Sequence, residues 1–237
     1  MNHISIKIIY DNCRADESFQ EGWGFSCLVD MGSRKILFDT GADAEAFFSN
    51  LQKFGIRCDE ITDVVYSHKH SDHITGCEEL ITKLKPDSRL FVPKKFPLKK
   101  LSPHLQIEVV EDFKEIDSEV YSLVLKGGWF LYEQALIIET QKGLVIITGC
   151  AHPGIVHLLQ EVQKRLKKPI HLVLGGFHLF RNRQGHIDEI VSQFKALKVH
   201  SAAPCHCSGK LAIDCFQQAF QDHFYKIGTG SILTLER

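Results

Sequence analysis

Three histidines and one aspartate occupy the short stretch from His68 to His73, which follows directly on the apolar segment Ile61–Tyr66. Imidazole nitrogens and carboxylate oxygens are the atoms that zinc and related divalent metals bind, and neither a hydrophobic core nor a disulfide framework requires them at this density. In α/β proteins, ligands and metals gather at the carboxyl ends of strands. The motif therefore predicts a metal site at the end of a strand in an α/β fold.

The same pattern recurs further along the chain. Three more apolar, strand-like segments run into turns that carry His152, His178 and His206. Because the carboxyl ends of strands in such folds meet at a common edge, we expect these histidines to converge on one site with the first motif. His171 and His200 stand at the starts of predicted strands and are expected at the opposite end.

Apolar runs bounded by turn residues predict strands, and apolar residues spaced three and four apart predict helices. The predicted strands are Ile4–Tyr10, Phe25–Asp30, Lys35–Asp39, Ile61–Tyr66, Arg89–Val92, Ile107–Val110, Val120–Leu125, Ala135–Thr140, Leu144–Thr148, Ile170–Leu174 and Val199–Ala203. The predicted helices are Ala44–Phe54, Thr75–Lys85, Gly154–Leu166, Ile187–Leu197 and Lys210–Phe220.

The composition limits the class of protein. The 237 residues are 44% hydrophobic, enough to bury a large core in one domain or in two closely packed halves. A net charge of −1 offers no general attraction for nucleic acid. The eight cysteines lack paired C-x-x-C spacing, as free thiols in a reducing compartment do. Without a transmembrane-length apolar run or a signal-like start, the sequence predicts a cytoplasmic protein that acts on a small molecule, with no membrane or nucleic-acid partner.

The motif and its surroundings resemble the metallo-β-lactamase superfamily, and within it the branch similar to dihydropterin–ribofuranosylaminobenzene-phosphate synthase. The segments that carry the resemblance are Trp23–Ser26, Asp39–Gly41, His68–His73, Thr148–Ile155, Gly175–Leu179 and Pro204–Gly209. The resemblance implies an α/β (α+β) fold, the metallo-β-lactamase-like αββα sandwich, formed by one domain over residues 1–237 with two similar halves, approximately 1–125 and 126–237. It also implies a site for one or two metal ions along the edge of the sandwich.

Within the motif, the resemblance and the chemistry of the side chains suggest separate roles. His68 and His70 are expected to bind a first ion, whereas Asp72 and His73 begin the next helix and suit a second. Asp72 is alternatively a catalytic residue that orients and deprotonates a metal-bound water, whose pKa the ion lowers to roughly 7. Asp39 is expected to fix the loop by hydrogen bonds rather than to bind metal.

One position departs from the superfamily pattern. Most members end the corresponding strand in Thr-Gly-Asp, whose aspartate bridges two metals, whereas here Cys150 takes that place. A Cys150 thiolate would favour zinc or iron over magnesium, and the alternative is a small buried side chain. His152 is then expected to supply the third imidazole. We predict zinc as the cofactor, as one or two ions, with iron or manganese as alternatives.

The last metal ligand has two candidates. His178 lies one strand after Cys150, as the closing histidine does in lactamase- and glyoxalase-like members, and is predicted to bind metal. His206 precedes Cys207 and Ser208, as in phosphodiesterase-like members, and is predicted to act as a catalytic acid or substrate contact.

Three further residues are predicted to bind substrate. Ser208 and Lys210 open a predicted helix, where backbone N–H groups and the lysine can hold a phosphate. Ordinary N-capping by Ser208 beside a solvated lysine is the alternative. Trp23 can stack on a flat ring such as a pterin.

These features favour a metal-dependent hydrolase, in which a metal-bound hydroxide attacks a small anionic substrate that contains phosphate. One alternative is a synthase that transfers a dihydropterin group and releases pyrophosphate. The other is a redox or metal-binding protein that carries out no hydrolysis.

Overall fold

The computed structural model describes residues 3–97 and 105–236. The chain divides into two compact units; the first runs to Glu111 and resumes at Gly228, and the second comprises Asp112–Ile227. Each unit contains one large sheet and its own helices. The hairpin formed by residues 113–126 pairs with the sheet of the second unit. The division predicted from the sequence is at approximately residues 125 and 126.

In the first unit, the strands are β1 His3–Tyr10, β2 Ser26–Asp30, β3 Lys35–Phe38, β4 Asp63–Val65, β5 Arg89–Pro93, β6 Gln106–Val110 and β13 Ile232–Glu236. Its helices are α1 Ala44–Lys53, α2 Ser71–Ile74 and α3 Cys77–Ile81. The strands form a seven-stranded sheet in the order β13-β1-β2-β3-β4-β5-β6. The pairs from β3 to β6 are parallel, whereas β13, β1, β2 and β3 pair antiparallel.

In the second unit, the strands are β7 Phe113–Asp117, β8 Val120–Lys126, β9 Tyr132–Thr140, β10 Gly143–Thr148, β11 Ile170–Gly176 and β12 Ser201–Cys205. Its helices are α4 Ile155–Leu166, α5 Gln184–Ala196 and α6 Lys210–Phe220. The strands form a six-stranded sheet in the order β12-β11-β10-β9-β8-β7. The strands β10, β11 and β12 are parallel, and the remaining pairs are antiparallel.

The pattern of buried residues explains why these segments form strands or helices. All six residues of β10 and all seven of β11 are buried, as in parallel strands covered on both faces. Helix α4 buries one apolar face, which follows the spacing seen in the sequence. Those buried residues are Ile155, Val156, Leu158, Leu159 and Val162. Helix α1 begins at Asp43, whose side chain accepts a hydrogen bond from the backbone N–H of Ala46.

The α/β class predicted from the sequence is confirmed, one predicted helix needs correction, and two strands were missed. The helix predicted over Thr75–Lys85 is shorter: α3 spans only Cys77–Ile81, and Thr75 and Gly76 separate it from α2, which ends at Ile74. A Cβ on Gly76 would lie 3.2 Å from both Phe47 and Thr40, so this interruption lets the chain pack closely. Strands β7 and β13 were not predicted; both are edge strands with mixed exposure, which gives a weak apolar pattern.

Among the described residues, no helix is both long enough and apolar enough to cross a bilayer.

Candidate functional site

The histidine motif of the first unit lies at the carboxyl ends of two neighbouring parallel strands. Strand β3 ends at Phe38 and is followed by Asp39, while its partner β4 ends at Val65 and leads to Ser67 and His68. Parallel pairing places both ends at the same edge of the sheet. Asp39 is thereby brought against the motif loop although it is 28 positions away from Ser67.

Asp39 is fully buried and fixes the loop through several hydrogen bonds. Its carboxylate accepts hydrogen bonds from the Ser67 backbone N–H at 2.7 Å and from the Ser67 hydroxyl at 2.6 Å. A further oxygen contact of 2.7 Å joins it to Nδ1 of His73. Because a carboxylate only accepts, Nδ1 of His73 is the protonated nitrogen and Nε2 carries the lone pair.

The same reasoning assigns the tautomer of His68. Its Nδ1 lies 2.8 Å from the Ser67 hydroxyl, whose single proton is already donated to Asp39. Nδ1 of His68 is therefore the donor, and its Nε2 carries the lone pair. That Nε2 lies 3.0 Å from Nδ1 of His70. Two nitrogens at this separation are within reach of one ion, since zinc–nitrogen bonds measure about 2.0–2.1 Å.

Asp72 and His73 stand in α2, the short helix after the motif loop. Nε2 of His73 lies 3.7 Å from Oδ2 of Asp72. The same carboxylate oxygen accepts a hydrogen bond of 3.0 Å from the indole Nε1 of Trp23, and the Trp23 residue is 52% exposed. Trp23, predicted to contact substrate, therefore also orients Asp72.

The second unit gathers its candidate residues in the same way. Strands β10, β11 and β12 are consecutive parallel neighbours, and their carboxyl ends lead to Cys150, His178 and His206 respectively. His152 follows two residues after Cys150, and its ring centroid lies 4.5 Å from that of His178. Nε2 of His206 lies 3.4 Å from the Cys150 sulfur. Four of the predicted site residues thus share one edge of the sheet.

Glu133, a buried carboxylate on β9, was missed in the sequence. Oε1 accepts hydrogen bonds of 2.7 Å from the backbone N–H groups of Cys150 and Ala151. Oε2 accepts from the His152 backbone N–H at 2.8 Å and lies 2.7 Å from Nδ1 of His152. As with Asp39 and His73, this contact leaves the lone pair of His152 on Nε2. The signal in the sequence is an acidic residue next to an otherwise apolar strand, in Glu133-Gln134-Ala135-Leu136.

Four non-glycine residues beside these clusters adopt left-handed backbone conformations. Their φ angles are 58° at Asp39, 56° at Ala151, 55° at His178 and 49° at His206. Such conformations are costly for residues with a Cβ and are commonly retained at functional sites. Here each one turns the chain sharply at or soon after the end of a strand, which directs the neighbouring side chains to the sheet edge.

Cys150 and Cys207 are both buried. Burial raises the pKa of the Cys207 thiol, but hydrogen bonds with Cys150 and His178 outweigh this effect and leave that pKa below its ordinary value. One ligand atom from each of Cys150, His178 and Cys207 lies within 4.8 Å of the others. Sulfur and imidazole donors fit a borderline or soft transition metal, and the donors of the first unit fit zinc equally well.

Ser208 and Lys210, both predicted to bind substrate, lie just before and within the first turn of α6. Ser208 is fully buried; its hydroxyl oxygen accepts a hydrogen bond of 3.0 Å from the Phe177 backbone N–H. Its side chain does not cap α6, which follows Gly209. Lys210 lies in the first turn of α6 and forms an ion pair of 2.7 Å with Asp214.

Comparisons with known proteins extend this description. A protein-family profile described as anti-Pycsar protein Apyc1 matches residues 16–107. The 7,8-dihydropterin-6-methyl-4-(β-D-ribofuranosyl)-aminobenzene-5′-phosphate synthase of Methanocaldococcus jannaschii is 25% identical over 89% of both chains.

Two solved structures are also similar to this chain. The crystal structure of Tm1679, a metal-dependent hydrolase of the β-lactamase superfamily, matches with a TM-score of 0.85 and 29% identity, covering 99% of this chain and 100% of that one. A diphosphatase of the PhnP family matches with a TM-score of 0.65 and 14% identity, covering 99% of this chain and 98% of the other. The second likeness concerns the fold alone.

The similar proteins named here include enzymes of two kinds, hydrolases and a synthase. They confirm the resemblance predicted from the motifs, both to the superfamily and to its dihydropterin-related branch. The chain is an enzyme with the metallo-β-lactamase fold, similar to metal-dependent hydrolases and to the dihydropterin-related synthase.

Proposed function

We propose that the protein is a metal-dependent hydrolase of a small anionic, phosphate-containing substrate. The observation that carries this proposal is the arrangement around the two buried carboxylates. Asp39 and Glu133 each bind Nδ1 of a histidine and the backbone of a strand-end loop. Such contacts fix the tautomer and orientation of histidines that bind metals through Nε2.

Each unit has its own set of proposed metal ligands. They are His68, His70, Asp72 and His73 from the first and Cys150, His152 and His178 from the second. A transition metal bound by either set would supply Lewis acidity and would lower the pKa of a bound water toward neutrality. Zinc fits this donor set best, with iron or manganese as alternatives.

The residues of the chain have distinct proposed tasks. Asp72 accepts the proton of the attacking water, and its carboxylate is oriented by the hydrogen bond from the Trp23 indole. His206 donates a proton to the leaving group and is held against Cys150. His178 is exposed, in contrast to the buried His206, which suits a ligand at the mouth of a site.

A synthase is the second candidate, and the relative in Methanocaldococcus jannaschii favours it because the likeness covers 89% of both chains. The exposed indole of Trp23 also suits an aromatic substrate. Such a reaction would release pyrophosphate from a dihydropterin diphosphate when the amine substrate is present. Hydrolysis needs water alone as the second reactant.

The test compares zinc- and manganese-reconstituted protein on a phosphodiester, a phosphomonoester, an organic diphosphate and a lactone. Hydrolysis by wild type should fall about 10²-fold or more in Asp72→Asn, because proton transfer of this kind contributes that much. Asp87→Asn, at an exposed position of the first unit, is the matched control and should retain full activity. Pyrophosphate release that requires an added aromatic amine, without hydrolysis of any of the four substrates, would replace the hydrolase proposal with the synthase.

A further inference from the structure

A second buried thiol stands beside Cys150 in the second unit. Cys207 is 1% exposed, and its sulfur groups with Cys150 and with a nitrogen of His178 within 4.8 Å. From these positions we propose that Cys207 is a metal ligand, so that Cys150, Cys207 and His178 hold a transition metal through two thiolates and one imidazole. This inference rests on the proposed function and assigns to its metal centre a ligand that the motif resemblance does not supply.

The backbone holds Cys207 and His178 side by side. Strand β12 ends at Cys205 and continues into a 3₁₀ turn, His206–Ser208. The Cys207 carbonyl accepts hydrogen bonds from the backbone N–H groups of Leu179 at 3.1 Å and Phe180 at 3.2 Å. The Ser208 hydroxyl accepts one from Phe177 on the same loop. These bonds tie the turn after β12 to the loop after β11, which preorganises the thiol and the imidazole.

A glycine provides the space for the Cys207 sulfur. A Cβ on Gly176 would lie 2.6 Å from that sulfur, 2.3 Å from the Gly149 carbonyl oxygen and 3.2 Å from the His206 ring. Separations this short exclude any side chain at position 176. The end of β11 therefore admits the turn that carries Cys207 only because residue 176 is glycine.

The donor set determines which metals fit. Thiolates are soft ligands and favour zinc, ferrous iron or cobalt, whereas magnesium and manganese prefer carboxylate, carbonyl and water oxygens. Two thiolates also neutralise the charge of a divalent ion. The alternative is that Cys207 only fills space, with its thiol donating to the Cys150 carbonyl oxygen at 3.7 Å.

The experiment is cobalt substitution of the full chain, followed by near-ultraviolet absorption, which detects thiolate-to-cobalt charge transfer. Wild type should show this band. Cys150→Ser and Cys207→Ser should each retain part of its intensity, and the double variant should lose it entirely. Cys205→Ser is the matched control, because Cys205 is equally buried at the end of β12 but belongs to none of the groups of candidate ligands among the described residues.

X-ray absorption of wild type loaded with one equivalent of zinc avoids dependence on the folding of variants. Two sulfur scatterers at about 2.3 Å are expected. A charge-transfer band that disappears in Cys150→Ser but is unchanged in Cys207→Ser, with one sulfur scatterer, would overturn the role of Cys207 and leave the metal centre intact. Failure of wild type to bind either metal would overturn the proposed function as well.

Discussion

Asp39 and Glu133 are buried carboxylates that perform equivalent structural tasks in the two units. Each accepts backbone N–H groups from a loop at the end of a strand and contacts one histidine Nδ1. The motif resemblance predicts Asp39, because the Asp-Thr-Gly turn is part of it. Glu133 carries no motif, and its role follows only from the pairing of β9 with β10.

Glu133→Gln tests the second of these carboxylates. An amide offers one acceptor oxygen where the carboxylate offers two, so some N–H groups of residues 150–152 lose their partner. We expect metal affinity to fall about 10–100-fold, as when partners behind metal-binding histidines are removed. The unfolding free energy should fall by about 1–3 kcal/mol. Chelator competition and urea unfolding measure the two effects.

The control for that variant is Glu139→Gln on the same strand. Glu139 pairs with Lys168, whose side chain is 43% exposed, and lies away from the loop after β10. The Glu139→Gln variant should therefore bind metal with the same affinity as wild type. Equal losses of metal affinity in both variants would show that Glu133 has no particular role in orienting His152.

Asp39→Asn should weaken metal binding by the first unit, as Glu133→Gln does in the second. Asparagine keeps one acceptor oxygen, but its amide presents N–H groups to Ser67 and His73, which are themselves donors. We expect metal binding to weaken about 10–100-fold, whereas the exposed-site control Asp87→Asn should leave metal affinity unchanged. Isothermal titration of the apo protein with zinc measures this affinity. A zinc affinity of Asp39→Asn equal to that of wild type would refute the tautomer assigned to His73.

Among the secondary-structure elements, the sequence predicts those with clear burial patterns and misses those at edges. Strands β10 and β11 are buried throughout and are predicted to within two residues at each end. Strand β7 has one buried position of five, so its sequence, Phe-Lys-Glu-Ile-Asp, gives little apolar signal. The pairing partners of such edge strands arise from tertiary contacts that a local pattern does not encode.

Helix α4 ends at a residue in the left-handed conformation, which glycine adopts more easily than lysine. A glycine there should therefore stabilise the protein. Lys167 caps the helix with φ of 52° and ψ of 35°. Lys167→Gly should raise the unfolding free energy by about 0.5–1 kcal/mol, because relief of the left-handed strain exceeds the entropic cost of glycine. Lys164→Gly within the same helix should instead lower it by about 1 kcal/mol. Urea unfolding measures both free energies. A lower unfolding free energy in Lys167→Gly as well as in Lys164→Gly would contradict the expectation.

His171, near the start of β11, and His200, immediately before β12, are histidines whose ionisation affects stability. Burial and the neighbouring charges of His200, Lys142 and His223 lower the pKa of His171 below 6.5; burial, His223 and Lys142 likewise lower the pKa of His200. As pH falls below about 6.5, the unfolded chain binds these protons before the folded one does. The unfolding free energy should therefore decrease with falling pH in that range.

Urea unfolding of the apo protein between pH 7.5 and about 5 measures this dependence, starting above the unperturbed histidine pKa. His171→Gln and His200→Gln should each reduce the slope relative to wild type. His186→Gln, at an exposed position on α5, should leave it unchanged. If the unfolding free energy changed with pH equally steeply in wild type, His171→Gln and His200→Gln, these histidines would not contribute to the pH dependence.

Across the whole chain, the two units repeat one plan: an antiparallel part of the sheet continues into a parallel part whose strand ends carry the candidate residues. The sequence predicts part of this plan, because β4, β10, β11 and β12 are apolar and lead into histidine-bearing turns. It does not predict the burial of Ser208, nor that Cys207 lies beside His178, since both depend on the hydrogen bonds that join two loops. Local motifs thus identify the donors, whereas long-range packing decides their neighbours.

The decisive measurement is the metal content of anaerobically purified protein by elemental analysis, with wild type beside His68→Ala and Cys150→Ala. We predict near-stoichiometric zinc or another transition metal in wild type and a large loss in both variants, one from each unit. Circular dichroism confirms that the variants remain folded. Wild-type protein that contains no metal, and takes up none on reconstitution, would contradict the proposed metal centre and the hydrolase function built on it.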